Sequence, residues 1–220
     1  MNGSDADDPN TGGGAQERQV SGDAAATATS ATESIIEPAV SGAVDTVSTA
    51  ATAEVNGIER ATRPDRLSSI LVAVGPGAHT GATVDVAKAI AEATDAWLEL
   101  FHVVPSDAAL ADDEHASDDG GSESETEYAG RGERLLSAAE NRLGGFDRSD
   151  RWLVEDHTAA GAIVEQSPYY DLVVMGATTT GTVGRFVFGS TTDTVVDDAE
   201  VPVVVVEANG ATALCDPSER

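Results

Sequence analysis

Apolar side chains are sparse up to residue 66 and then settle into two alternating textures from Leu67 to Glu207. Short runs rich in β-branched residues read as strands: Ser69 to Val74 (SILVAV), Trp97 to Val104 (WLELFHVV), Arg151 to Glu155 (RWLVE), Asp171 to Gly176 (DLVVMG) and Val201 to Val206 (VPVVVV). The first, fourth and fifth are nearly continuous apolar runs, the pattern of parallel strands covered on both faces. Between them, spacings of three and four predict helices at Thr80 to Asp95, with Val84, Ala87 and Ala91 on one stripe, and at Glu125 to Leu143, with Tyr128, Leu135, Ala139 and Leu143. Thr158 to Gln166 and Ser190 to Ala199 complete the set. Strands alternating with helices predict an α/β fold, a single doubly wound five-stranded parallel sheet.

The flanks look different. Residues 1–66 contain no Leu, Phe, Trp or Tyr and are built mainly of small and acidic residues, too little apolar bulk to offset chain entropy. They are expected to be disordered; Pro38, Gly42 and Gly57 argue against a stable helix in the Ile- and Val-bearing stretch 34–60. Residues 106–127 carry nine acidic and no basic side chains and read as a solvated insertion without the glycine-punctuated spacing of a calcium loop. Residues 208–220 read as a flexible tail.

The chain has 39 acidic against 12 basic side chains, a formal charge of −27, and Lys88 is its only lysine. So negative a surface repels nucleic-acid phosphates and anionic lipids, which excludes nucleic-acid binding and a polybasic membrane anchor. The scattered acidity resembles that of cytoplasmic proteins from salt-accumulating halophiles, and stability is expected to rise with KCl as repulsion is screened. No run is long enough for a membrane span and the N-terminus lacks a signal pattern, so a cytoplasmic location is expected. Cys215, the single cysteine, can form neither an internal disulfide nor a cysteine zinc cage.

In a doubly wound sheet the ligand crevice lies beyond the carboxyl ends of the strands. Two loops qualify. One is Gly75 to Thr80 (GPGAHT) after the first strand; the other is Gly176 to Ser190 (GATTTGTVGRFVFGS) after the fourth. The second leaves the sheet at Gly176 and opens a helix at Gly189-Ser190, whose free N–H groups and dipole favour an anion, with Ser190 and Thr191 hydroxyls beside them. Arg185, the only basic residue between Arg151 and Arg220, falls inside it. Of the histidines, His79 at the start of a helix stands near this region, His102 lies on a strand, and His115 and His157 lie on loops. No G-x-S-x-G elbow accompanies them, so no hydrolase triad is predicted.

Ile70 to Val74, Met175-Gly176, Gly189-Ser190 and Pro202 within Val201 to Val206 resemble the motifs of the universal stress protein family, over residues 67–207. The resemblance implies a Rossmann-like, flavodoxin-like sandwich with strand order 3-2-1-4-5. In ATP-binding members an aspartate after the first strand meets the nucleoside, loop glycines and a Ser or Thr hold the phosphates, and a second-strand backbone group, here near Val103, meets adenine. Gly176, Gly189 and Ser190 carry over. Thr179 stands where the family has a glycine and Gly75 where it has the aspartate; the backbone N–H groups of Gly75 and Gly77 could substitute. Losing a carboxylate–ribose hydrogen bond costs about 1.5 to 3 kcal/mol.

Two readings follow. In the first, the chain binds ATP, with Mg only alongside it, and signals stress by switching an unidentified protein partner; no general base is visible, so it is not read as an enzyme beyond slow hydrolysis or autophosphorylation. In the second it is a nucleotide-free dimerisation and interaction module. The terminal apolar strand reads as a sheet edge, and the resemblance implies a homodimer through Val201 to Val206. An adenylyl-transferring or pyrophosphatase relative would need a Ser-Gly-Gly-x-Asp-Ser loop or a His-x-Gly-His pair, and GPGAHT offers neither.

Overall fold

The computed structural model describes residues 34–106, 125–177 and 190–214. Along them the chain forms α1 (Ile36–Thr46), β1 (Ala50–Asn56), β2 (Ser69–Ala73), α2 (Thr80–Thr94), β3 (Trp97–Pro105), α3 (Glu125–Leu143), β4 (Ser149–Asp156), α4 (Ala159–Gln166), β5 (Leu172–Gly176), α5 (Ser190–Asp198) and β6 (Val203–Ala208). Single 3-10 turns lie at Ile58–Arg60 and Ser167–Tyr169. No helix among the described residues is long and apolar enough to cross a membrane.

The expected five-stranded, all-parallel sheet is corrected to a mixed, six-stranded one with order β1-β6-β5-β2-β3-β4. β2 to β6 pair in parallel, and β1 joins antiparallel to β6, Ala53 opposite Val206 and Asn56 opposite Val203. The added strand overturns two expectations. Residues 34–66 are not disordered, and Val201 to Val206 is not an open edge, because β1 takes up the backbone groups through which a second copy would pair. Residues 1–33 lie outside the described residues.

Side chains explain how so weakly apolar a segment is held. α1 buries Ile36, Val40 and Ala43 in the core, about 1.5 to 3 kcal/mol for each of the two larger side chains. Gly57 turns the chain in the left-handed region at φ 66°, where glycine carries no steric penalty. Arg60 then donates to the carbonyls of Val196 at 2.7 Å and Ala199 at 3.0 Å, satisfying the C-terminus of α5. Thr49 donates to Asp85 at 2.6 Å, and Asp85 also receives the bidentate Arg142 fork at 2.8 and 2.7 Å.

Alternation along each strand divides the core between the two faces of the sheet. Ile70, Val72, Leu98, Leu100, Leu172, Val174, Val204 and Val206 face α1, α2 and α3. Leu71, Phe101, Val173, Met175, Val203 and Val205 face the shorter α4 and α5. Within the tail expected to be flexible, Thr212 is pinned: its N–H donates to Ala78 O at 2.6 Å, its carbonyl accepts from Gly81 N at 2.8 Å, and its hydroxyl accepts from Ala82 N at 3.0 Å. Residues 215–220, including Cys215, lie outside the described residues, as do 107–124 of the acidic insertion with His115.

Candidate functional site

β2 runs through α2 to β3 on one side of it, whereas β5 lies on its other side, so the winding reverses between β2 and β5. Loops diverge there and leave a crevice beyond the carboxyl ends of the strands. A cavity of about 420 Å³ opens at that point. Ala73, Phe101, Ile163 and Met175 supply apolar lining; Gly75, Gly77, His79 and Thr80 form the wall from the β2–α2 loop; Thr191 contributes from the first turn of α5.

Of the residues predicted from sequence, the structure brings Gly75, Gly77, Val103, Gly176 and Thr191 together on this cavity. Ser190 opens α5 but is exposed and does not line it. Thr179, Arg185 and Gly189 lie outside the described residues. Gly176 also has a packing role. A Cβ there would sit 3.1 Å from the Thr83 hydroxyl and 3.2 Å from the His79 Cβ, so this glycine lets β5 approach α2 closely, whatever the cavity holds. Gly75 is the opposite case, since a Cβ on it would meet nothing within 4 Å, and its backbone is not in the left-handed region.

Local bonds set the loop. The Thr80 hydroxyl donates to the Gly75 carbonyl at 2.6 Å and closes the turn over Pro76 and Gly77. Thr212 already fills the first amides of α2, so an anion would find its donors at the loop glycines and at α5 rather than at α2. His79, at the start of α2, accepts the Ala208 N–H on Nδ1 at 2.9 Å. That bond assigns its proton to Nε2, which makes the ring a donor beside the cavity. His102 bonds the Val74 carbonyl through Nδ1 at 2.6 Å, and burial pushes its pKa below 6.5 against the raising effect of that bond.

Among the described residues the cavity lining carries no carboxylate, lysine or arginine, in a chain whose surface is otherwise densely acidic. The arrangement suits a ligand with a flat apolar part against Phe101, Ile163 and Met175 and an anionic part toward backbone amides and hydroxyls. It holds no paired general acid and base. Among the described residues no group of three or more His, Cys, Asp or Glu could hold a metal. Sequence reasoning missed Phe101, Met175 and Ile163, which come from three separate elements and carry no signature beyond core apolarity.

A model of the universal stress protein family matches residues 67–207. Similar solved structures include the universal stress protein UspA from Lactobacillus plantarum, 24% identical, TM-score 0.49, with 64% of this chain and 99% of that chain covered. The hypothetical protein MJ0577, a test case of structural genomics, is 18% identical with TM-score 0.50, covering 64% of this chain and 95% of its own; that likeness is one of fold. A universal stress protein in complex with cAMP is 19% identical, TM-score 0.47, with coverage of 66% and 100%. A search of curated proteins finds no match.

Proposed function

The chain belongs to the universal stress protein family, and we propose that its crevice binds an adenine nucleotide, ATP among them, as a signal passed to a protein partner. The observation that carries this reading is the cavity at the winding reversal, whose described lining is free of acids in a protein of net charge −27. Diffuse charge would repel an anionic ligand everywhere else, so a site lined by amides, hydroxyls and apolar groups is where such a ligand is least opposed.

Each part of the lining has a role under this reading. Phe101, Ile163 and Met175 take the base, with the Val103 backbone at its edge. Gly75 and Gly77 present N–H groups to the sugar and first phosphate, and the His79 Nε2–H adds a donor. Thr191 meets the outer phosphates at the N-terminus of α5, with the exposed Ser190 hydroxyl just outside the cavity. The family resemblance assigns Gly189 to the same phosphates, with Thr179 at the position of a family glycine; Arg185 is the basic residue of that loop in the sequence, and Mg would enter only with ATP. Under this reading the described residues of the lining bind and orient the nucleotide.

The competing reading, a nucleotide-free interaction module, is favoured by Gly75 in place of a carboxylate and by Thr212 occupying the α2 amides. One experiment separates the two. Protein purified in molar KCl is denatured and the supernatant assayed for adenine nucleotide, then refilled by calorimetric titration with AMP and ATP. Saturable heat with ATP in wild type, weakened about tenfold or more in a Ser190→Ala, Thr191→Ala variant, is expected from loss of hydroxyl contacts to phosphate. Equal heats in both proteins, or none in wild type, would leave only the interaction module.

A further inference from the structure

Large apolar side chains exposed among the described residues are Trp97 at 44%, Trp152 at 43% and Tyr169 at 77%. The two indoles are the only tryptophans in the chain, and both stand on the α4 and α5 face of the sheet, where these two short helices leave the outer strands β3 and β4 partly uncovered. Alternation puts Trp97, Glu99 and Phe101 on that face of β3, and register puts Asp150 beside Glu99 and Trp152 beside Phe101 on β4. The surface therefore reads, along the strands, indole, carboxylate pair, indole, with the tryptophans about 13 Å apart over four residues of strand rise. Tyr170 packs at its border beside Glu99.

The carboxylates face each other across neighbouring strands, about 5 Å apart at Cβ, a placement that costs stability for like charges. Among the described residues, the cations on β4 and at its start are engaged elsewhere. Arg148 reaches Asp95 at 3.4 Å, the carbonyls of Ala91 and Ala96, and the Phe146 ring at 4.9 Å. Arg151 projects from the other face to Ser137, Glu133 and Glu140. Asp150 receives one backbone bond, from Arg151 N at 2.8 Å. Burial and Asp150 together raise the Glu99 pKa above 4.5, the mark of a carboxylate short of positive charge.

We propose that this β3–β4 face is a docking surface for a protein partner that presents an arginine, its guanidinium paired with Glu99 and Asp150 against one indole and its flanking residues reaching the other. Charge complementarity selects the occupant. A guanidinium satisfies two carboxylates through its planar fork and stacks on an indole face, which a compact ammonium or hydrated metal ion does less well. A second copy of this chain would bring another carboxylate pair onto the first. The shallow, 13 Å spacing, about four residues of extended chain, fits a segment of polypeptide rather than an enclosed small cation. Trp152 meets Phe101 edge-on at 5.6 Å, and Phe101 lines the nucleotide crevice, so the surface touches the site that the partner would read.

The test uses the full chain in molar KCl, where a Debye length of about 3 Å removes diffuse attraction to a basic peptide. Emission from Trp97 and Trp152 is followed while an arginine nonapeptide is added, with a lysine nonapeptide and a glycine–serine nonapeptide as comparisons. The expected result is a saturable change with the arginine peptide, at least about tenfold weaker with lysine. A Glu99→Gln, Asp150→Asn variant should weaken it at least about tenfold, while Glu37→Gln, Asp45→Asn on α1, the same charge change on the opposite face, should leave it within about twofold. Trp97→Leu, a surface change that spares the core, should weaken it similarly, read through Trp152. Equal weakening by both charge doubles, no preference for arginine, or no response in wild type would overturn the proposal. So would emission that changes with protein concentration alone and is lost in Trp97→Leu, since the occupant is then a second copy. Failure here with retained ATP titration leaves the nucleotide reading standing.

Discussion

The crevice at the carboxyl ends of β2, β3 and β5 and the aromatic surface on β3 and β4 share one face of one sheet and one phenylalanine, yet differ in charge. Among the described residues the first is free of carboxylates, in a protein that has 39 acidic residues; the second places two, without an ion pair among the described residues, between two indoles. Helix coverage makes the difference. α4 and the N-terminus of α5 enclose the crevice, so what lines it is set by core packing, whereas Trp97, Asp150 and Trp152 on the outer part of β3 and β4 stay exposed on this side. A uniformly negative chain can therefore hold an anion in one place and a cation in the other, provided that each site departs from the surrounding field in its own way.

Removing the shared ring should damage both. Phe101 is 1% exposed, and Phe101→Ala is expected to cost about 3 to 5 kcal/mol of stability, measured by denaturant unfolding. It should also abolish ATP heats and shift Trp152 emission. The milder Phe101→Leu, if it keeps the fold but loses both readouts, places the coupling in the ring rather than in global stability; retention of full ATP binding by Phe101→Leu would separate the two sites.

Gly75→Asp tests the crevice alone. The position has open space for a side chain and a backbone conformation that accepts one. A carboxylate there is expected to raise adenosine affinity about ten- to a hundredfold, the equivalent of 1.5 to 3 kcal/mol for a charged hydrogen bond. The gain for ATP should be smaller, because the same charge opposes the phosphates. Titration of both ligands checks it, and a loss of adenosine affinity would mean that Gly75 does not face the nucleoside. The response of Trp97 and Trp152 to the arginine peptide should be unaffected.

How far the sequence could anticipate this contrast depended on where the information lay. β2, β5 and β6 were legible because burial on both faces leaves a continuous apolar run, and α3 because its stripe spans five turns. α1 and β1 were not: Ala50–Asn56 has no apolar pattern of its own, and its order comes from β6, Thr49–Asp85 and Arg60 on α5, all contacts with distant residues. That same omission made β6 look like an edge. At the crevice, glycines and hydroxyls after strands announced themselves through loop chemistry, while Phe101 and Met175 resembled every other core residue. On β3 and β4, Glu99 and Asp150 looked like two more acids until register set them side by side.

The two sites should also titrate in opposite senses, with effects smaller than those above. Burial lowers the His102 pKa beneath its unfolded 6.5, so stability is intact above 6.5 and lost as pH falls through the folded value. His102→Asn should flatten unfolding free energy over that window. Glu99 is raised above its unfolded 4.5 by burial and by Asp150; its contribution is fully present below 4.5 and is lost as pH rises through the folded value. Glu99→Gln should therefore be more stable than wild type at pH 7, with the advantage shrinking toward pH 4, although it weakens arginine binding. Such a residue opposes stability in order to serve a surface. The smallest effect is optical: burial first and Glu99 second push the Tyr170 phenol up to about 12, and Glu99→Gln should bring its absorbance titration part of the way back toward 10. An unmoved Tyr170 would mean that the charge of Glu99 does not reach the border of the patch.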